Sequence, residues 1–286
     1  MKKQLKYILN FSGMALVIGA VIAGNIICSI YESQINSFLC PPISNNTSNS
    51  SDSASGEELV KEIVMEGAVL AKNNGVLPLS KSENNKINIF GWSVTDWVMA
   101  GGGSGTVSPK DNDWNNTVDL LKAFDLYEYG ISYNQDIIDA YSKFHAPERN
   151  VGFGQGSGRG NRNINEPKLS NKSVYSDELL ENAKNYSDTA LFVISRTGHE
   201  SVDVSPSYIK ITDTEKEMLT YLGQNYKNVI VLINACNTMV LDFINTIPGI
   251  DACLVVGATG THGARGIPYL LYGDNSPSGH FADTYA

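Results

Sequence analysis

Residues for holding metals are scarce in this sequence. Its 286 residues include 4 cysteines and 4 histidines. No pair among Cys28, Cys40, Cys236 and Cys253 has metal-ligand spacing, and His199 stands apart from other candidate ligands, so no metal site is expected. The plain reading of the cysteines is buried thiols acting as small hydrophobes, with a Cys236–Cys253 bridge open only if their strands are neighbours. Positive charge is also short. Against 30 acidic residues stand 21 basic ones, a net charge of −9. That balance argues against nucleic acid or an anionic membrane surface as a general partner, and suits an uncharged ligand such as a sugar. The one compact glycine loop, Gly101–Gly105, fits neither GxxxxGK[S/T] nor GxGxxG, so no nucleotide or other cofactor is expected.

One long apolar run is present. Lys2, Lys3 and Lys6 precede an uncharged stretch from Tyr7 to Tyr31, and the next charge is Glu32. A spanning helix needs about 20 mostly apolar residues, which this stretch supplies. Lysines before it and an acid after it predict an N-in, single-pass anchor with the remainder outside the cell membrane. A cleaved signal peptide is the rival reading. No small-x-small site directly follows the apolar run, and Ile27 before Cys28 does not suit lipoprotein processing. Both facts favour the anchor. Residues 1–40 are therefore read as a cytoplasmic start and membrane anchor. Residues 41–56 (PPISNNTSNSSDSASG) form a Ser/Asn-rich tether, with Asn-x-Ser/Thr triplets at Asn45, Asn46 and Asn49.

From residue 57 to 286 the pattern alternates between helical and strand-like segments. Val60, Val64, Ala68 and Ala71 have helical spacing and predict a helix over 57–74, capped by Ser55 and ended by Gly75. KINIFG (86–91), TALFVIS (189–195), NVIVLIN (228–234) and DACLVVG (251–257) read as buried strands, with a shorter one at 129–133. Helices are expected at 116–124, 135–144, 177–186, 212–226, 239–245 and 264–272, the fifth opened by a capping box of Thr212 and Glu215. Residues 146–170, which contain GFGQGSGRGNRN, read as a long solvated insertion. Continuous apolar strands alternating with helices imply an α/β fold: a mostly parallel sheet flanked by helices, a flavodoxin-like sandwich preceded by one transmembrane helix.

Ligands of such sheets bind beyond the carboxyl ends of the strands. The loops to inspect are therefore those holding Gly101–Gly105, then Arg196, His199, Glu200 and Asp203, then ACNT after the third strand and ATGTHGARG after the fourth. Glycines allow a sharp turn and close approach of backbone to a ligand, though a plain tight turn explains them equally well. Glu200 is the one carboxylate close enough to a strand end to project from the rim.

Several segments, in this order, resemble the carboxyl-side domain of family 3 glycoside hydrolases, the β-glucosidase and β-xylosidase group. They are EGAVLAKNNGVLPL (66–79), the Trp92–Gly105 loop with GGGSG, SRTGHES (195–201), NVIVLIN, IPGIDACLVV (247–256) and YGDNSPSGHFADTYA (272–286). The resemblance covers 57–286. It departs from the family in GHES after Thr197 and in GTHGA at Gly260–Ala264, where a Gly-x-Glu-Gly-Gly pattern is usual. It implies that Glu200 is the acid/base glutamate of a retaining hydrolase acting on O-glycosidic bonds. It also implies that Gly102, Gly103, Ser104 and Arg196 line the substrate entrance. The nucleophile is implied to come from a barrel domain. No stretch here has the pattern of eight βα units, which take about 250 residues. The expectation is thus a fragment or truncated product of a reversed-order member, with the barrel following the C-terminus and the chain alone inactive. The partners implied are a β-glycoside, that barrel, and a membrane through the N-terminal helix. A membrane-tethered, non-catalytic glycan-binding or scaffold module is the second reading, and a flavodoxin-like nucleotide binder the third.

Overall fold

The computed structural model describes residues 2–31, 50–107, 113–144, 164–198 and 204–282. Asn45, Asn46 and Asn49 of the tether, the GFGQGSGRG stretch, and His199, Glu200 and Asp203 lie outside the described residues. Two compact units emerge, residues 1–53 and 54–286.

The first unit contains helix α1 (Lys2–Ile30). Within it Ser12–Ile30 has a mean hydropathy of 2.2, long and apolar enough to cross a membrane. That property belongs equally to a span and to a signal sequence.

The second unit is built on a six-stranded sheet. Its strands are β1 (Val69–Asn73), β2 (Lys86–Phe90), β3 (Ser132–Tyr133), β4 (Thr189–Arg196), β5 (Asn228–Ala235) and β6 (Ala252–Val255). Their spatial order is β1-β6-β5-β4-β2-β3. All neighbours are parallel except β1, which runs antiparallel to β6 at the edge. Every residue of β4 is buried, as is all of β5 after Asn228. That is why these two strands read as unbroken apolar runs rather than alternating ones. The helices are α2 (Ser50–Gly67), α3 (Leu120–Asp125), α4 (Gln135–Lys143), α5 (Asp177–Tyr186), α6 (Asp213–Asn225), the single turn α7 (Phe243–Thr246) and α8 (Gly266–Leu271). Thr212 and Glu215 close the capping box expected at the start of α6.

Helix α2 is displaced toward the N-terminus of its expected range: it starts at Ser50, inside the stretch read as tether and ahead of Ser55, the expected cap. It ends at Gly67 rather than near Asn74, and the apolar residues beyond it form β1. Five residues of mixed burial cannot be told from a helix extension by spacing alone, and the partner strand β6 lies far along the chain. The motif around Lys72 to Leu79 is turn chemistry. Asn73 Oδ1 accepts from the N–H groups of Gly75 (3.0 Å) and Leu77 (3.1 Å), while its Nδ2 donates to Leu77 O (2.9 Å). The last motif packs on the first. Gly279 N–H donates to Ala68 O at 3.0 Å, and Ser278 Oγ to Glu66 O at 3.1 Å. A Cβ on Gly279 would fall 2.3 Å from Gly67 O, so only glycine allows this approach. The two most specific motifs of the sequence thus hold each other.

Among the described residues Cys236 is exposed and Cys253 buried, with no disulfide between them. Their strands are neighbours, yet Cys253 pairs with Val231. Five residues of strand, about 16 Å at ~3.3 Å each, then separate it from Cys236, too far for a bridge.

Candidate active-site rim

The loop leaving β2 crosses the carboxyl ends of the other parallel strands and returns. A 3₁₀ turn (Trp92–Thr95) brings Ser93 Oγ to accept from Ser195 N–H at the end of β4 (3.2 Å). Next, Val98 meets Asn234 near the end of β5. Asn234 Oδ1 accepts from Val98 N–H (2.8 Å), and its Nδ2 donates to Val98 O (2.8 Å) and Gly257 O (2.7 Å). Ser195 Oγ also donates to Asn234 Oδ1 at 3.0 Å. At the farthest point Trp97 Nε1 donates to Thr259 Oγ1 (2.8 Å), beyond β6, and Gly260 N–H donates to Met99 O (2.8 Å). The loop then doubles back, and Gly102 N–H donates to Gly198 O at 2.8 Å. One side chain, Asn234, therefore ties three strand ends into a single rim. The polar end of NVIVLIN was its only signal in the sequence.

This path brings the predicted glycine loop to the root of the segment that carries Glu200. Gly101 lies so close that a Cβ there would meet Gly198 O at 3.3 Å. Gly103 is buried with φ 81°, a conformation that favours glycine. Gly102 to Gly105 end in a short 3₁₀ turn over Gly103–Gly105 that includes Ser104. Glu200 itself lies outside the described residues, two positions past Gly198.

Arg196 does not line an entrance, contrary to expectation. It is 0% exposed. Its guanidinium forms a two-pronged pair with Glu215 (2.9 and 2.7 Å). The remaining N–H groups donate to Ser195 O (3.0 Å), Tyr208 O (3.0 Å) and Lys210 O (3.1 Å). All five donors of the side chain are engaged, which leaves none for a ligand. Arg196 instead pins the backbone that follows the Glu200 segment. Its place at the end of a strand made it look like a rim residue. The acid that draws it inward was visible in the sequence only as a helix cap.

Sequence reasoning also missed Glu166. Residues 146–170 were read as solvated, but Glu166 and Pro167 are buried against the rim. Glu166 Oε2 accepts from Trp92 N–H at 2.7 Å, and its Oε1 from the Tyr175 hydroxyl. Burial pushes this carboxyl up to about 8, aided by the charge of Glu215, and outweighs the hydrogen bonds from Tyr175, Trp92 and Tyr141 that oppose it. A raised folded value means that, between its ordinary 4.5 and about 8, the folded chain holds more of this proton than the unfolded one. Stability due to this group therefore falls as pH rises through that window and levels off above it. Urea unfolding at pH 5 to 9 should show this fall in the wild type relative to Glu166→Gln. Parallel curves for the two chains would refute it.

A cavity of about 330 Å³ opens at the carboxyl ends of β5 and β6, lined by Ala235, Asn237, Met239, Val256 and Phe281 among others. This volume is at the lower end of ligand pockets.

Residues 68–286 match the model of the glycosyl hydrolase family 3 C-terminal domain. The chain belongs to this family. It is 34% identical over 232 residues to a β-glucosidase of Ruminococcus albus, covering 80% of this chain and 23% of that protein. It is 27% identical over 276 residues to β-glucosidase A of Butyrivibrio fibrisolvens, covering 86% of this chain and 30% of that protein. The solved structure of a β-glucosidase from Paenibacillus barengoltzii superposes with a TM-score of 0.64 at 26% identity, over 77% of this chain and 23% of that one. The family 3 domain thus has the mostly parallel sandwich expected of it. The chain spans under a third of the length of the curated relatives it matches.

Proposed function

We propose that this chain is the sheet domain of a retaining β-glycosidase, with Glu200 as its acid/base. One observation carries the reading: the glycine loop is hydrogen-bonded to Gly198, two residues before Glu200, at the strand ends where ligands of such sheets bind. Retaining glycosidases use two carboxyl groups about 5–5.5 Å apart. In this reading Glu200 donates its proton to the departing glycosidic oxygen, then takes one from the attacking water. The nucleophile comes from a barrel domain, as in the family that the chain belongs to. Gly102, Gly103 and Ser104 form the wall of the entrance nearest Glu200. Arg196 has a supporting role behind it. Residues from Ser50 to 286 form the hydrolase-type domain, since α2 begins at Ser50, residues 41–49 the tether, and residues 1–40 a single-pass anchor that holds the domain outside the cell membrane. The lysines before the apolar run and the acid after it support that orientation.

The test joins this chain to a family 3 barrel and assays aryl β-glucosides. Glu200→Gln should lower kcat/KM, which reports the first step, by about 10²-fold for substrates with poor leaving groups and spare it for activated ones. Equal loss on both classes would remove Glu200 from the acid role. Sugar binding without turnover by the joined wild type would favour the glycan-binding module.

A further inference from the structure

The turn that launches the rim loop is held by a group that the proposed reaction does not use. Gly91 and Trp92 directly follow β2. Gly91 N–H donates to the Tyr141 hydroxyl at 2.9 Å. The Tyr141 and Tyr175 hydroxyls are 2.6 Å apart, and Tyr175 donates to Glu166 Oε1. Trp92 N–H donates to Glu166 Oε2. Two consecutive backbone donors are therefore joined through Tyr141 of α4, then Tyr175 and Glu166 from the segment before α5. All three side chains are buried.

The direction of these bonds can be counted. Both backbone groups only donate. Tyr141 accepts from Gly91 and so passes its own proton to Tyr175, since Glu166 Oε1 lies farther off at 3.5 Å. Tyr175 then donates to Glu166. Position 166 must accept at both of its terminal atoms. A carboxyl group does so in either charge state, whereas a carboxamide nitrogen accepts nothing, whichever way the group is flipped. The other ionisable group acting on Glu166 is Glu215 of α6, which is paired with Arg196.

We propose that Glu166 is a positioning residue for the rim loop. As a double acceptor it fixes the Gly91–Trp92 turn, and with it the seat of Gly101–Gly105 beside Gly198. This role rests on the reading of that rim as the substrate entrance, but its test does not.

The test is amide hydrogen exchange on the full 286-residue chain without any sugar. Glu166→Gln should speed exchange across residues 91–102 by up to about tenfold, the factor that one lost hydrogen bond sets. Amides of β5 from 229 to 233 should stay as in the wild type. Tyr141→Phe, which removes the acceptor of Gly91 and leaves the Trp92 bond in place, should free Gly91 and spare Trp92. Unchanged exchange over 91–102 in both variants would overturn the proposal. A uniform rise across β4, β5 and β6 would also overturn it, making Glu166 an ordinary core residue. Glu200→Gln should leave the whole pattern untouched, so a failed glycosidase reading and a failed positioning role give different results.

Discussion

Replacing Arg196 by methionine should lower the stability of the sheet domain by about 3–5 kcal/mol, the usual cost of breaking a buried ion pair from one side. The cost comes from what is left behind. Glu215 is 2% exposed, and without the guanidinium its carboxylate is a buried charge with too few partners. The carbonyls of Ser195, Tyr208 and Lys210 lose their donors in the same step. Thr212 N–H, which donates to Glu215 Oε2 at 2.7 Å, does not replace a charge. The double variant Arg196→Met with Glu215→Leu should recover most of the loss, because an apolar pair of similar volume removes both the attraction and the desolvation. Urea unfolding of the three chains measures this. A single-variant loss below about 1 kcal/mol, the range of surface pairs, would contradict the buried geometry. The segment from Ser205 to Lys210 should also loosen, since Arg196 supplies two of the hydrogen bonds that hold it.

Gly91→Ala should be nearly as damaging, at about 4 kcal/mol, through two separate effects. Gly91 has φ 99°, outside the range that L side chains readily adopt. The added Cβ would also sit 2.3 Å from Val193 O and 3.0 Å from Val193 N, in the middle of β4. Neither atom can retreat without breaking the ladder between β4 and its neighbours. Gly75→Ala is the control. Gly75 has φ 92°, but a Cβ there meets nothing within 4 Å. Its cost should be that of the backbone conformation alone, about 1–2 kcal/mol. A thermal or urea comparison that finds the two variants equal would show that crowding against β4 contributes nothing.

Much of the fold was legible because the signals are local. The apolar runs of β4 and β5 exist because both faces of a central parallel strand are covered, and the sequence shows that burial directly. The capping box at Thr212 was legible for a similar reason, since both its members lie within one helical turn. β1 was not legible. Its residues carry helical spacing, and what makes them a strand is the edge of β6, far away in sequence. The site divides in the same way. Glycine spacing pointed to Gly101–Gly105, and family resemblance pointed to Glu200. Neither could show that Gly102 is bonded to Gly198, two positions before Glu200 in the sequence.

The amino-acid sequence by itself determined the class of this protein: an apolar N-terminal helix and a family 3 sheet domain with few groups for metal or phosphate. Those properties rest on composition, periodicity and motifs, which are local or additive along the chain. Tertiary structure alone decided the direction in which the polar side chains point. Arg196 turns inward because Glu215 waits beneath it. Glu166, in a stretch that reads as solvent, turns inward because two backbone donors at the end of β2 need an acceptor. A charged or polar residue has the same identity in either setting. Its partners, brought from other elements, determine whether it faces ligand, water or core.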